Sequence, residues 1–148
     1  MPIVGFNFDM IHGEKKGTVQ KGMRASHNIV IESIEKEELN LGKDSKKNGL
    51  KFKFEYDVKY EPGVGAILIK GHILFLEEEK KIKEILDGWN KNKKIEPELT
   101  AQLINTAIVR SSIKALSLSQ EINLPPHLPI PTIIKKRAND NKAKDYIG

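Results

Sequence analysis

Leu50-Lys51-Phe52-Lys53-Phe54-Glu55-Tyr56-Asp57-Val58-Lys59-Tyr60-Glu61 alternates apolar and charged residues without an exception. Successive side chains of an extended chain point to opposite faces, so this stretch is a strand with one dry face and one wet face. The turn signal Pro62-Gly63-Val64-Gly65 follows, and then Ala66 to Leu76, a second strand apolar on both parities in which Lys70 and His72 interrupt one face only. A strand needing cover on both sides is central in its sheet or lies against a partner subunit. Together the two segments predict the middle of an antiparallel sheet.

Upstream, Val4, Phe6, Phe8 and Met10 share one parity around Asn7 and Asp9 and predict a first strand over 3–12. Gly13, Gly17 and Gly22, mixed with lysines, mark an irregular stretch before a second strand over Asn28 to Ile34, rich in β-branched residues. From Glu35 to Gly49 the chain is charged and turn-rich, with only Leu39 and Leu41 apolar, and reads as a long surface connection.

Downstream the period changes. Ile82, Ile85, Leu86 and Trp89 fall at helical spacing and predict a short amphipathic helix from Glu77 to Asn92. Glu96-Pro97-Glu98 opens a longer one, since proline suits a first helical turn and carboxylates favour the positive end of the helix dipole. Leu99, Leu103, Ala107, Ser111 and Ala115 form one i,i+4 row, widened by Ile104, Ile108, Ser112, Leu116 and Leu118 into a face broad enough to cover a sheet and leave a surplus. Leu124-Pro125-Pro126 ends the helix, because proline lacks a donor and disfavours helix in the residue before it. The predicted fold is α+β: a four-stranded antiparallel sheet with a long crossover connection, packed against a short and a long C-terminal helix. Residues 1–134 form the single domain and 135–148 a basic tail, expected to be flexible.

At 148 residues, 39% apolar and 30% charged, the chain suits one core and is too apolar for wholesale disorder. It has no cysteine, which removes disulfides, thiolate zinc sites and thiol chemistry. No segment approaches the ~18 apolar residues of a membrane span, and the N-terminus has no leader pattern, so no membrane insertion and a cytoplasmic location are expected. His12, His27, His72 and His127 are scattered without metal-ligand spacing; His72 is expected on a sheet face and the others at the surface. The glycines never form a phosphate-cradling pattern, and the acidic runs at Glu35 to Glu38 and Glu77 to Glu79 read as a solvated face and a helix start. Ser111, Ser112, Ser117 and Ser119 lie inside a helix and read as packing or back-bonding residues. No catalytic constellation, cofactor or small-molecule substrate is expected.

The net charge of +5 leaves a binding alternative, a nucleic-acid module using the basic loop near Lys46-Lys47 and the tail from Lys135 to Lys144. The aromatics Phe52, Phe54 and Tyr56 imitate a base-stacking sheet, yet they share parity with Leu50 and Val58 and are expected in the core. The opposite face mixes three lysines with three acids, a poor phosphate surface.

Four strands, a short helix, a long helix and a proline-rich exit, in that order, resemble SecB, the export chaperone that holds unfolded preproteins. The most specific local match is Leu124-Pro125-Pro126-His127-Leu128-Pro129-Ile130-Pro131, similar to the aromatic-Pro-Pro-x-x-x-x-Pro segment after the family's last long helix. The strand Phe52 to Val58, the Pro62 turn and the strand Ala66 to Leu76 also look like the family's third and fourth strands. The resemblance covers roughly residues 3–133. It implies an ATP-independent holdase for unfolded clients, in a homotetramer built as a dimer of dimers, with apolar grooves for extended segments. Pro125 and Pro126 carry the motif, and Leu39, Leu41, Leu128, Ile130 and Ile133 are the groove candidates. The family is acidic and docks on the SecA motor through an acidic sheet surface; this chain is basic and lacks the usual N-terminal strand motif, which argues against docking of that kind. A relative outside the bacterial export route, including an archaeal-type one, fits better.

Overall fold

The structure, a computed structural model, describes residues 3–40, 42 and 46–129. Its elements are β1 (Ile3–Lys15), β2 (Arg24–Asn40), β3 (Lys46–Glu61), β4 (Gly65–Leu76), α1 (Glu79–Asn92) and α2 (Pro97–Glu121). The strands form one antiparallel sheet in the order β1-β4-β3-β2. The doubly apolar strand β4 is central, as its sequence requires.

The sheet order puts β1 and β2 on opposite edges, so the crossover is the β1–β2 connection, residues 16–23. The long connection expected over 35–49 is instead mostly strand: Glu35 to Asn40 extend β2, and Lys46 to Gly49 begin β3 in register with it. Charge misled the reading, because these charges pair across the ladder: Lys53 lies 3.3 Å from Glu35 and Lys51 3.8 Å from Glu37.

The alternation in β1 is also interrupted. Register shifts at Ile3/Gly5 and Phe8/Met10 leave Phe6 and Phe8 opposite Ile73 and Gly71 on the covered face, but set Met10 opposite Lys70 on the other face. Val4 and Met10, expected to point inward with the phenylalanines, are exposed. Gly71 is needed where it stands. A Cβ there would lie 2.7 Å from Cζ of Phe54 and 2.5 Å from the Asn7 carbonyl oxygen.

Both helices cover the same face. Ile82, Ile85 and Trp89 of α1, with Leu99, Leu103 and Ala107 of α2, close over Ile34, Leu50, Phe52, Phe54, Ile73 and Phe75. Farther along the sheet, Ala115 and Leu124 join Tyr56, Val58, Tyr60, Val64, Ile67 and Ile69. The small row Ala107, Ser111, Ala115 lets α2 approach the sheet closely, and Ser119 back-bonds to the Leu116 carbonyl at 2.8 Å. Asn123 turns left-handed at φ 59°, the Leu124 N–H donates to the Ser119 carbonyl at 2.8 Å, and the chain leaves the helix towards β3.

Candidate functional site

An open groove of about 640 Å³, lined mostly by apolar atoms, runs beside the β2 edge. Val30 and Ile31 of β2 form one wall; Trp89, Ile95, Ala101 and Ile104, from α1, the inter-helix turn and α2, form the other. Its size is that of a site for a few side chains or a small ligand, roughly 300–1,000 Å³. The register of β2 shifts between Ile31 and Ser33, so the strand bends where the groove lies. Trp89 packs one side into the core while Val30, 44% exposed, stays open to solvent.

The turn beyond Trp89 is held in place by its own backbone. Lys93 takes the left-handed conformation that ends α1, donating its N–H to the Trp89 carbonyl at 2.9 Å, and its ammonium stands 5.0 Å over the Trp89 ring. Gly88 leaves room for the Lys94 carbonyl, which a Cβ would meet at 3.2 Å. Thr100 Oγ1 then donates to the Glu96 carbonyl at 3.0 Å and stiffens the start of α2.

A second polar centre ties down the proline exit. Tyr60 OH donates to the Pro125 carbonyl at 2.7 Å, and Tyr56 OH lies 2.8 Å from His127 Nε2, 3.1 Å from Ser112 Oγ and 3.3 Å from His27 Nδ1. His127, expected at the surface, is therefore buried, because the exit folds back over β3. Burial, and then the neighbouring His27 ring, hold its pKa below the ordinary histidine value, while burial raises that of Tyr56. Tyr56 OH has three partners within hydrogen-bond distance and Tyr60 OH holds the Pro125 carbonyl, while the buried Nδ1 of His127 has no partner among the described residues; the cluster reads as a latch for the exit.

The opposite face of the sheet carries charges in pairs. Lys70 lies 3.6 Å from Glu32, and His72 Nδ1 2.8 Å from Asp9. Glu32 and Glu55 share a hydrogen bond that lowers the pKa of Glu32 and raises that of Glu55. Among the described residues no three histidines and carboxylates gather as a metal site.

The candidates chosen from sequence are dispersed. Leu39 is buried on the charged side of the sheet, against Gly49, and offers no free surface. Leu128 is half-buried just past His127, whose ring packs 5.7 Å from that of His27. His27 and Leu39 lie twelve residues apart on β2, about 40 Å, so Leu39 and Leu128 do not share a pocket. Pro125 is half-buried and Pro126 exposed, both in the latched exit. Leu41, Ile130 and Ile133 lie outside the described residues, as does the 135–148 tail. In the sequence the groove residues Val30, Ile31, Trp89 and Ile104 carry only strand and helix periodicity. The one signal for them was the surplus on the α2 face, beside the chain's single tryptophan.

Four antiparallel strands in this order, with a short and a long helix on one face, make the fold SecB-like. Over 92% of this chain and 92% of the other, it matches a SecB-like chaperone of Mycobacterium tuberculosis, solved in complex with a ChAD peptide from the HigA1 antitoxin, with a TM-score of 0.52 and 7% sequence identity. No family model matches the sequence. No helix among the described residues is long and apolar enough to cross a membrane.

Proposed function

We propose that this protein is an ATP-independent holdase, a binding protein and not an enzyme, which keeps extended client segments from aggregating by seating their apolar side chains between β2 and the helices. The observation that carries this is the open apolar groove alongside an edge strand: the strand offers unpaired backbone to an extended chain, and the groove takes its side chains. That the structural neighbour was solved with a peptide bound supports the same use of the fold. Leu128, with Ile130 and Ile133 beyond it, is proposed as a flanking contact, because the exit leaves the body beside His27, a few residues along β2 from the groove.

The assembly belongs to the same proposal. Val109 and Ile113 are 57% and 64% exposed, on the side of α2 turned away from the sheet. Cover by a second copy, and so a dimer of dimers, would dry this stripe. A cytoplasmic place for holding clients goes with this reading, and the basic charge sets any service in protein export apart from docking on a SecA-type motor. The nucleic-acid alternative loses force because Lys51, Lys53 and Lys70 on the open sheet face each have a carboxylate partner.

The test is suppression of aggregation of a chemically unfolded model protein, without nucleotide, at stoichiometric amounts and at two salt concentrations. Suppression that survives high salt and is lost in Ile104→Glu, with the fold intact by circular dichroism, supports the reading. Absence of suppression, with tight salt-sensitive binding to RNA or DNA, refutes it.

A further inference from the structure

The charged side chains that line the groove have one sign. Its lining includes Lys93 and Lys94 and no carboxylate, and neither ammonium has a carboxylate partner among the described residues. The backbone constraints on this turn, the left-handed Lys93 and the close Gly88–Lys94 approach, fix the backbone that carries both lysines of the groove lining. Lys91 lies in the last turn of α1, adding to the same end. Through the crossover and along β2, the sixteen residues Lys16 to Ile31 contain Lys16, Lys21 and Arg24 and no acid; the acids paired with this stretch, Glu55, Asp57 and Glu61, stand across the ladder on β3 and do not line the groove. Glu96 and Glu98 are close in sequence but line a separate hollow with Lys81. Glu32, the first acid beyond Ile31, is engaged by Lys70 and Glu55.

We infer that the groove selects polypeptide segments whose apolar centre is flanked by aspartate or glutamate. This rests on the holdase reading and gives it a client class. The apolar centre fills the space between Val30 and Trp89, and the flanking carboxylates lie against Lys93 and Lys94. Complementarity of charge across such a rim sets choice of partner and speed of encounter more than total affinity. Each exposed ammonium–carboxylate contact changes affinity by roughly 1.4- to 5-fold, so two of them give a preference of about 2- to 25-fold at low salt. Screening removes most of it at 1 M salt, where the Debye length is about 3 Å.

The experiment uses two peptides of equal length and identical apolar centre, one flanked by glutamates and the other by lysines, titrated into the full chain while Trp89 fluorescence is followed. Trp89 is the chain's single tryptophan and lies on the groove wall, so the signal reports the site. The expected result is tighter binding of the glutamate-flanked peptide, a preference that collapses in 1 M salt and reverses in the Lys93→Glu, Lys94→Glu double variant with an unchanged melting curve. Equal binding, or tighter binding of the lysine-flanked peptide, overturns the inference and leaves the groove standing. If neither peptide binds, by fluorescence or by competition in the aggregation assay, the groove reading fails and the client class with it.

Discussion

Replacing Gly71 by alanine tests the β1-β4-β3 register on which both faces of the sheet depend. The added methyl would lie 2.5 Å from the Asn7 carbonyl oxygen in β1 and 2.7 Å from Cζ of Phe54 in β3, closer than real Cβ atoms approach. Phe54 is buried and leans on the Phe6 ring, 5.4 Å away between centroids, so it has little space to yield. Either β1 lifts away from the central strand or the aromatic ring moves. Overpacking of this kind costs about 1–3 kcal/mol. Loss of chain freedom in the unfolded state returns about 0.4–1 kcal/mol when glycine becomes alanine. A net loss of about 1–2 kcal/mol is expected, read as a lower urea midpoint with an unchanged denaturant slope. Pairing the change with Phe54→Leu separates the two obstacles: if the ring is the barrier the double variant recovers part of the loss, and if the Asn7 carbonyl is the barrier it does not. Unchanged or increased stability in Gly71→Ala would refute the register.

Three further outcomes follow from the same geometry. Leu124→Ala empties a buried site against Gly65 and is expected to cost about 2–4 kcal/mol by urea denaturation, with exchange of backbone amides in 124–129 rising first. Because the folded pKa of His127 lies below its unfolded value, its contribution to stability is fully present above about pH 6.5 and is lost as pH falls from there through the lowered folded value; the groups facing it are Tyr56 on β3 and His27 on β2, with the Ser112 hydroxyl of α2 bonded to Tyr56. Urea midpoints at pH 7.5 and 5.5 should differ less in His127→Gln than in the parent, and an equal difference would remove the latch as a pH-dependent element. Val109→Asp with Ile113→Asp should shrink the particle in sedimentation without changing its circular dichroism if a second copy covers α2; an unchanged particle size argues against that interface.

Much of this fold is legible because its middle is unambiguous. The uninterrupted alternation from Leu50 to Glu61, the doubly apolar β4, the helical spacing of Ile82, Ile85 and Trp89, and the Leu99-Leu103-Ala107-Ser111-Ala115 row each state which face is buried. At the sheet edges the signal fades. The charged end of β2 looks like a loop because charge alone cannot distinguish a solvated turn from a ladder of ion pairs, and a bulge that turns Met10 outward leaves no mark in composition.

The local periodicities therefore determined the kinds and order of the elements and, away from the sheet edges, the face each presents, since backbone geometry ties side-chain direction to sequence spacing over a few residues. Tertiary structure alone decided that the crossover joins β1 to β2, that His127 is buried under the returning exit, and that Val30, Trp89 and Ile104 meet around one groove. Residues 30, 89 and 104 are distant along the chain, and their meeting depends on strand order and on how two helices settle over a bent edge. No short-range pattern carries that information.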